Sequence, residues 1–401
     1  EQGDVDAQAM LGTLYYESSG PLRDYNLAVK WLTSAANQDN SQAQFVLAKL
    51  YHQGLGVTQD YAEAALWYQQ AANKGHPGAH FSIAAMFERG EGLRKDLAEA
   101  QKWYGLAAEL DTPEAMFDLG HRLFRGDGLP KDVNAALDWF LKAAKADIAV
   151  AQFAAAQIYA DETRPHFDQA AATKWFSKAA DNGASDAYFT AGNRFDNAIG
   201  VEKDDEAAVR YYTLAAGIGN AEAKYRLAVK LANGQGVKTD LSGAIELFRE
   251  AALARHSRAA MALGVAYASG TGVMRDIQLS ADYFRIAAEL GEAEAFFKLG
   301  RLYLTGALGF VDRGKAVAQF KAASARGFAP AQFQLGQLAM ADAKNGNNLK
   351  IAVKYYKLAA KNGLADAQYR YATMLEEGQG TPVDMALAAV NYEAAAEQGI
   401  P

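Results

Sequence analysis

Apolar residues along this chain follow the spacing of an α-helix in short stretches that alternate with turns. In one stretch they step by 4, 1 and 3 residues: Ala43, Leu47, Ala48 and Tyr51. In the next stretch they step by 3, 1 and 3 residues: Ala64, Trp67, Tyr68 and Ala71. The glycine-containing segment 54–57 separates the two stretches, and glycine permits the positive φ that a tight turn needs. The pattern therefore predicts two consecutive helices joined by a turn.

The same pattern recurs every 36 residues along the chain. The first helix repeats one alanine: Ala7, Ala43, Ala79, Ala115, Ala151, Ala187, Ala223, Ala259, Ala295, Ala331 and Ala367. The second helix repeats another: Ala35, Ala71, Ala107, Ala143, Ala179, Ala215, Ala251, Ala287, Ala323, Ala359 and Ala395. It also repeats an aromatic residue: Tyr68, Tyr104, Phe140, Phe176, Tyr212, Phe248, Phe284, Phe320, Tyr356 and Tyr392. One helix pair cannot bury its apolar face alone, so stacking of eleven pairs is expected.

The sequence therefore predicts an all-α fold, an α-solenoid of eleven 36-residue helix-turn-helix repeats. We expect one continuous array over residues 4–399, with repeats that start near 4, 40, 76, 112, 148, 184, 220, 256, 292, 328 and 364. Gln2 to Asp4 resemble the tail of a preceding repeat, and the chain stops at Pro401 without a polar capping helix. Because solenoids normally carry capping repeats, we expect the array to be part of a longer protein.

Acidic residues stand where each second helix is expected to begin. An aspartate there can accept hydrogen bonds from the free amides of the helix N-terminus. Ten repeats carry one: Asp24, Asp60, Asp96, Asp132, Asp168, Asp204, Asp240, Asp276, Asp312 and Asp384. Asn348 replaces it in repeat ten and is expected to cap equally well. After the second helix, most repeats carry a glycine or an aspartate suited to a left-handed C-cap, and Arg255 is the exception.

Small residues in the first helices predict close helix packing. They are Gly12, Ala48, Ala84, Gly120, Gly264, Gly300 and Gly336. The second helix is expected to approach them through Ala28, Ala64 and Ala100, while large aromatic side chains fill the gaps between pairs. The first helices also carry an aromatic column: Phe45, Phe81, Phe117, Phe153, Phe189, Tyr225, Phe297, Phe333 and Tyr369. Such rings could stack on sugars or bases, but their presence in nearly every repeat favours packing between repeats.

The repeat resembles that of the Sel1-like repeat family, relatives of tetratricopeptide repeats with a slightly longer turn. The resemblance covers essentially the whole chain and rests on this pattern: Ala43-Gln44-Phe45, Leu47-Ala48, Tyr51, Gly54-Leu55-Gly56-Val57, Asp60, Ala64, Trp67-Tyr68, Ala71-Ala72 and Gly75. It implies a right-handed superhelix whose first helices line a concave surface. It also implies an adaptor role, often in bacterial envelope, secretion or host-interaction systems. Some bacterial members fix each repeat with a disulfide, and this cysteine-free chain lies outside that subgroup.

Two turns depart from the glycine pattern. Repeat five has Asp161-Glu162-Thr163-Arg164-Pro165-His166 at this position. Repeat ten has Asp342-Ala343-Lys344-Asn345-Gly346-Asn347-Asn348. Surface turns tolerate sequence change, so loop variation without function is the favoured interpretation, and a contact site for a partner is the alternative.

Cationic residues interrupt an apolar position of the first helices in the middle of the chain. In most other repeats the position is apolar: Leu14, Leu50, Met86, Ile158, Leu302, Leu338 and Met374. In repeats four, six and seven it holds Arg122, Arg194 and Lys230. Nearby first-helix positions add further polar side chains: His121, Arg125, Asn193, Asn197 and Arg226.

These eight residues have two interpretations. By analogy with tetratricopeptide repeats, several should face the concave surface and form a cationic pocket that binds a partner's carboxylates or other anions. Alternatively, the long side chains extend from a loosely packed face, or they pair with Asp118, Asp196 and Glu222. The sequence leaves both interpretations open.

Charge and composition argue against several kinds of function. A net charge of −7 opposes a general nucleic-acid role, because phosphate-backbone binding needs a basic surface. Without cysteine the chain has no thiolate chemistry. No apolar stretch approaches the ~18–20 residues of a membrane helix, so membrane insertion is not expected. No phosphate-binding loop, nucleophile elbow or His-Glu-x-x-His motif occurs in the chain.

The remaining candidates for chemistry are weak. His76 and His80 have the spacing of helical metal ligands, but Pro77 and Gly78 separate them at a helix start, which favours a structural role. The adjacent acids of the repeat-five turn have no partner that would separate their pKa values, so a solvated turn is expected there. We therefore expect no catalytic residue, no metal and no cofactor.

The sequence thus favours a non-enzymatic scaffold that binds a protein partner on the concave face of the superhelix. The setting expected from the family resemblance is a bacterial envelope or secretion-related complex, with the protein periplasmic or exported and a cytoplasmic location left open. Binding of an anionic polysaccharide or another envelope glycan is the alternative, suggested by the mid-chain arginines and the many tyrosines.

Overall fold

The structure is a computed structural model that describes residues 4–19, 22–110, 113–342 and 346–400, except for the side chains of Glu114 and Gly346. Gln2, Gly3, Pro401 and the segment 343–345 of the repeat-ten turn lie outside the described residues. The described ranges form 22 helices and contain no strand, which confirms the predicted all-α, helix-turn-helix solenoid class.

Short helices of similar length follow one another along the whole described chain. Their bounds are α1 (Val5–Glu17), α2 (Tyr25–Ala36), α3 (Ser41–Gln53), α4 (Tyr61–Asn73), α5 (Pro77–Arg89), α6 (Leu97–Leu110), α7 (Pro113–Arg125), α8 (Val133–Lys145), α9 (Ala149–Ala160), α10 (Gln169–Asp181), α11 (Ser185–Asp196), α12 (Asp205–Gly217), α13 (Ala221–Asn233), α14 (Leu241–Leu253), α15 (Ser257–Ser269), α16 (Ile277–Glu289), α17 (Ala293–Thr305), α18 (Arg313–Ala325), α19 (Ala329–Ala341), α20 (Gly346–Lys361), α21 (Ala365–Glu376) and α22 (Met385–Glu397).

The chain divides into two compact units, residues 1–203 and 204–401. In the first unit α1 packs on α2, α3 on α4, and so on to α9 on α10, and each even-numbered helix also packs on the next odd-numbered one. The second unit repeats this arrangement from α12 to α22. Each unit therefore buries its core between helix pairs, as stacked repeats do.

The aspartate column caps the second helices as predicted. In all ten repeats that carry it, an Asp Oδ1 accepts a hydrogen bond from one or two amides of the first helical turn, at 2.8–3.1 Å. Each such cap stabilises its helix by ~1 kcal/mol. The prediction for Asn348 is wrong, because α20 begins two residues earlier, at Gly346. Within the helix, the Asn348 side chain donates instead to the Asp342 carbonyl.

The residues that end the second helices adopt the predicted left-handed conformation. Gly75 has a φ of 81°, and Asp39 and Asp147 reach 66° and 61°. Arg255, the exception by residue type, also adopts a positive φ of 62°. The left-handed backbone conformation at this position is therefore kept even where the residue carries a Cβ, which makes that conformation unfavourable.

Glycines of the first helices lie against aromatic rings of their own repeat. A Cβ on Gly264 would lie 2.5 Å from the Phe284 ring, and one on Gly300 would lie 2.5 Å from the Phe320 ring. The predicted close approach of the second helix is therefore present, but a ring rather than an alanine occupies the space beside the glycine. The second-helix aromatic residues thus fill space within the repeat, and Phe320 also packs with Ala331 and Leu335 of the next repeat.

The first-helix aromatic column also packs mainly within the repeat. Eight of its rings pair with the second-helix aromatic of the same repeat at centroid distances of 5.1–5.9 Å. Packing between repeats is added by Phe45, which stacks on His76 at 4.2 Å, and by Tyr225, which stacks on His256 at 4.7 Å. Both kinds of contact use the rings for packing.

Buried glutamines link neighbouring repeats. The Nε2 of Gln44 donates to the Ala36 carbonyl at 3.1 Å, and that of Gln152 donates to the Ala144 carbonyl at 3.0 Å. Gln332 bonds to the carbonyl of Ser324 in the same way. Each of these carbonyls lies near the C-terminus of the preceding second helix and already accepts a backbone amide just beyond the helix, so the glutamine adds a second hydrogen bond. The glutamine side chain thus acts as a cap supplied by the next repeat.

Candidate interaction surfaces

The apolar position that the cations interrupt is mostly buried. Leu50 is fully buried, and Met86 and Ile158 are 1% and 2% exposed. Among the cations at this position, Arg194 and Lys230 are 6% and 4% exposed, and the Arg122 side chain is 26% exposed. A cation at this position therefore points into the packing between repeats, and each makes polar contacts there.

Arg122 on α7 joins a polar cluster with α5 and α6. Its Nε lies 3.1 Å from Asp118 Oδ2, and its Nη1 lies 3.2 Å from Glu88 Oε2. The Tyr104 hydroxyl donates to the same Glu88 oxygen at 2.6 Å. Burial and this hydrogen bond raise the pKa of Tyr104, so the hydroxyl keeps its proton. The arginine charge is thus shared between two carboxylates of the chain itself.

Arg194 on α11 is a buried cation held by neutral groups. Its Nε donates to Thr173 Oγ1 at 2.7 Å, and its Nη2 donates to the Gln169 carbonyl at 3.0 Å and to the Gln169 side chain. Within the described residues no carboxylate lies within 4.0 Å of its guanidinium. Desolvation by burial therefore lowers its pKa. Its guanidinium also lies over the Phe176 ring at 5.4 Å.

Lys230 on α13 forms a largely buried ion pair. Its Nζ lies 2.6 Å from Asp205 Oδ1, and only 5% of the lysine side chain is exposed, against 30% of the aspartate side chain. Asp205 is the first residue of α12, where the helix dipole favours a negative charge. The pair thus connects the first helix of repeat seven to the second helix of repeat six.

Arg226, one turn before Lys230, belongs to a second cluster. Its Nε lies 2.7 Å from Glu222 Oε1, and His256 Nε2 lies 2.7 Å from the other oxygen of the same carboxylate. Burial alone would raise the pKa of Glu222, but the hydrogen bonds from His256 and Arg226 outweigh it and lower this pKa. His256 Nδ1 accepts from the Ala259 amide, so the ring also caps α15.

The other four predicted residues lie nearer the surface. Arg125 is exposed, and the described residues place no hydrogen-bond or ion-pair partner beside it. His121 is half-buried, with its ring 6.0 Å from Phe117. Asn197 donates to the Asn193 side chain at 2.8 Å, so these two amides are bonded to each other.

The eight candidate residues therefore lie in several different environments and do not form a single pocket within either unit. Six of them lie in the first unit and two, Arg226 and Lys230, in the second. Asp118 pairs with Arg122 and Glu222 pairs with Arg226, as the interpretation with internal partners predicted. Partner binding by the set stays a prediction, and the members accessible for it are His121, Arg125, Asn193, Asn197 and Arg226.

One column of the first helices is exposed or half-buried and changes chemistry from repeat to repeat. It reads Thr13, Lys49, Ala85, His121, Gln157, Asn193, Val229, Val265, Arg301, Gln337 and Thr373. Six residues earlier in each repeat, alanine is kept in all eleven repeats. The framework is thus constant within the chain, while an accessible face of the first helices varies.

The repeat-five turn is fixed by contacts within the first unit. Arg164 Nε lies 2.5 Å from Asp161 Oδ2, and His166 Nε2 lies 2.9 Å from the Asn134 side chain. Hydrogen bonds from Thr163 and Arg164 lower the pKa of Asp161. The turn that lost its glycines is therefore held by side chains.

The two histidines with metal-ligand spacing bond to separate groups. His80 Nδ1 lies 2.9 Å from the His76 carbonyl, and His76 Nε2 lies 3.0 Å from the Gln42 side chain. Over the ranges that the structure covers, no group of three or more His, Asp or Glu residues could hold a metal ion. No helix there combines the length and apolar character needed to cross a membrane.

Sequence inspection missed a surface on the second helices of repeats nine and ten. Lys350, Lys354, Lys357 and Lys361 occupy one row of α20, and all four are exposed. A running count of charge along the chain would have found it, because this region is basic in an acidic protein.

Eleven consecutive segments match the family model described as Sel1 repeat: 5–40, 41–76, 77–111, 113–148, 149–183, 185–220, 221–256, 257–292, 293–328, 329–364 and 365–400. A protective antigen of uropathogenic Escherichia coli, described as displaying an SLR fold, is 29% identical with a TM-score of 0.54, over 99% of this chain and 78% of that one. A Sel1 repeat protein from Oxalobacter formigenes is 26% identical with a TM-score of 0.51, over 84% of this chain and 96% of that one. A search of curated proteins gave no match. The chain therefore belongs to the Sel1 repeat family, whose proteins are generally protein-interaction scaffolds.

Proposed function

We propose that this chain is a non-enzymatic scaffold that binds an extended segment of a partner protein along the accessible face of its first helices. The observation that supports this is the contrast within each repeat. Buried positions keep alanine, whereas the accessible column that contains Lys49, Gln157 and Arg301 differs in almost every repeat. A face whose chemistry changes at each step can recognise one particular segment, because specificity needs different contacts at different positions.

The predicted polar residues take part in this proposal within each unit separately. In the first unit, Arg125 is exposed and His121 is half-buried, and in this proposal both bond to carboxylates or carbonyls of the partner. In the second unit, Arg226 already bonds to Glu222, so a partner would compete for it. Arg194 and Lys230 contribute to the framework that carries the face, because their polar groups are used inside it.

Position-specific photo-crosslinking in the producing cells tests the proposal. A crosslinking amino acid placed at Gln157, which is exposed on the first helix α9, should give one defined protein adduct. The matched control is Lys174, which is exposed on the neighbouring second helix α10. An adduct at Gln157 that is absent at Lys174 supports the first-helix face. Equal adducts at both positions, or an adduct at Lys174 alone, would refute it.

Exchange of one exposed charge sharpens the same test. Arg125→Glu should weaken the adduct formed at Gln157 without changing the unfolding midpoint, because Arg125 has no partner among the described residues. The triple reversal of Arg122, Arg194 and Lys230 is unsuitable, since it would also break internal hydrogen bonds. If the adduct survives Arg125→Glu, that arginine has no part in binding.

The proposed setting is a bacterial envelope or secretion-related complex, with the protein periplasmic or exported. The similarity to a protective antigen of uropathogenic Escherichia coli supports this setting. Fractionation of the producing bacterium should place the protein outside the cytoplasm, and recovery only with cytoplasmic markers would contradict this setting.

A glycan array tests the alternative ligand, an acidic polysaccharide. Selective binding to such a glycan by the unmodified protein, lost in Arg125→Glu, would replace the protein partner by a glycan.

A further inference from the structure

Positive charge is concentrated in one segment of an acidic chain. Residues 313–361 contain nine Lys or Arg and a single acid, Asp342, although the whole chain has a net charge of −7. The nine are Arg313, Lys315, Lys321, Arg326, Lys344, Lys350, Lys354, Lys357 and Lys361. Lys344 lies outside the described residues. The helices α18 and α20, which carry most of these cations, contain no acid.

Four lysines form a row on α20. Lys350, Lys354, Lys357 and Lys361 are spaced by 4, 3 and 4 residues, which places them on one side of a helix. The row is about 17 Å long at 1.5 Å per residue. All four side chains are exposed, and no carboxylate of the described part of the chain lies within 4.0 Å of their Nζ atoms. The row therefore presents four uncompensated charges to solvent.

A groove beside this row lies between α18 and α20. Its volume is about 380 Å³, and its floor includes Leu335 and Leu338 of α19 together with Ile351 of α20. Lys321 and Lys354 stand on its two sides. The site thus combines an apolar floor with a cationic rim.

The charged neighbours of the groove limit where an anion can bind. Arg313 is paired with Asp342, so this cation is already compensated. On α22, Glu393 and Glu397 occupy the repeat positions of Lys357 and Lys361 and reduce the positive potential at that end. The most favourable place for a negative charge is therefore around Lys321, Lys350 and Lys354.

We propose that this groove binds an acidic segment of a partner protein, with an apolar side chain on the floor and carboxylates on the lysines. The lysines project from the rim while Leu335 is buried at the base. A bilayer needs apolar side chains that protrude beyond the charged ones, so the arrangement suits a peptide better than a membrane surface. Discrete carboxylates beside an apolar anchor match both features of the groove, and this surface is independent of the first-helix face.

Direct binding to the full chain tests the proposal. The probe is a fluorescent peptide of alternating glutamate and leucine, and the comparison peptide has glutamine in place of glutamate. The acidic peptide should bind with an affinity that falls as salt rises, and the neutral peptide should bind at least tenfold more weakly. Equal affinity for both peptides would overturn the proposal, because charge would then have no part in recognition.

Matched variants locate the site. Replacing Lys321, Lys350 and Lys354 together by Gln should weaken acidic-peptide binding about tenfold, since each exposed ion pair contributes a factor of a few. Replacing Lys30, Lys174 and Lys178 by Gln removes the same charge from other second helices and should leave the affinity unchanged. A similar loss in both variants would show that only net charge acts, and it would overturn the site.

The floor has its own test. Ile351→Gln should weaken binding of the glutamate–leucine peptide but leave the weaker binding of polyglutamate unchanged, because only the former places an apolar side chain on the floor. An equal effect on both probes would refute the apolar contact.

Binding to phosphatidylcholine–phosphatidylserine vesicles without peptide binding would replace the proposal by a membrane surface. Self-association that the lysine variant abolishes would replace it by a second copy of the chain. None of these outcomes bears on crosslinking at the first-helix face.

Discussion

Lys230 and Lys354 are both lysines on amphipathic helices of the second unit, yet their environments are opposite. Lys230 lies in a position that is leucine in other repeats, is 4% exposed and bonds to Asp205 at 2.6 Å. Lys354 lies on the outward side of α20, and the described residues bring no carboxylate within 4.0 Å of it. The comparison shows that the register within the repeat, rather than the residue type, decides whether a cation supports the framework or is available to a ligand.

The largest expected effect comes from breaking the buried pair. Lys230→Ala should lower the free energy of unfolding by about 2–3 kcal/mol, because it breaks the largely buried ion pair with the Asp205 carboxylate. This is less than for a fully buried pair, since Asp205 keeps some exposure to water. Urea unfolding followed by circular dichroism measures the change. A control, Lys230→Met, fills the space without charge: an equal loss in it would attribute the effect to the ion pair, whereas restored stability would attribute it to packing.

A smaller effect of opposite sign is expected at Arg194. Arg194→Leu should raise the free energy of unfolding by about 1 kcal/mol, because it removes a desolvated cation that no described carboxylate compensates. Leucine suits the position, as the fully buried Leu50 shows. The Thr173 hydroxyl can still donate its one proton to a backbone carbonyl, at 2.6 Å to Ile199 or at 3.0 Å to Gln169. Thermal unfolding gives the sign, and a lower midpoint would mean that the neutral acceptors stabilise the cation.

Acidification should weaken the cluster around Glu222. Its pKa is lower in the folded protein than its ordinary value of 4.5, so its contribution is present above that value and is lost as the pH falls through the folded pKa. The carboxylate is about one third exposed, so the contribution stays below ~1 kcal/mol. Urea unfolding measured over a pH series should show a shallower acid dependence in Glu222→Gln. An identical profile in both proteins would remove Glu222 from the cluster's energetics.

The smallest effect is expected for the exposed lysines. Lys321, Lys350 and Lys354 replaced by Gln should change the free energy of unfolding by less than about 0.5 kcal/mol, because surface changes without partners cost little. Glutamine has nearly the helix propensity of lysine, so α20 should be retained. A loss as large as that of Lys230→Ala would erase the contrast between the two regions.

The repeat and its caps could be predicted because each depends on residues close in sequence. The 36-residue period locates the helix pairs, and Asp60 or Asp240 bonds to amides two or three residues away. Asn348 was misassigned because the helix after the repeat-ten turn begins at Gly346, which the capping pattern does not reveal. The place of the Phe284 ring beside Gly264 was also missed, since spacing alone does not tell which neighbour a ring meets.

The candidate surfaces were harder to predict because they depend on partners distant in sequence. That Lys230 meets Asp205, 25 residues earlier, follows from how one helix of repeat seven packs on another of repeat six. The cationic groove was predictable in part, since the charge of residues 313–361 is visible in the sequence, whereas its floor is formed by Leu335 and Leu338 of α19, between the two basic helices. The charge of a segment can be counted from the sequence, whereas a groove exists only after the helices have packed against one another.

The glutamine links imply that the joints between repeats differ in mechanical strength. Gln44, Gln152 and Gln332 each tie a first helix to the end of the preceding second helix, whereas Met116 and Ala260 stand at the same position in other repeats and have no side-chain donor. Under a stretching force the joints without this tie should separate first. Force spectroscopy would then show extension in uneven steps, and a partner that spans a weak joint would stiffen it.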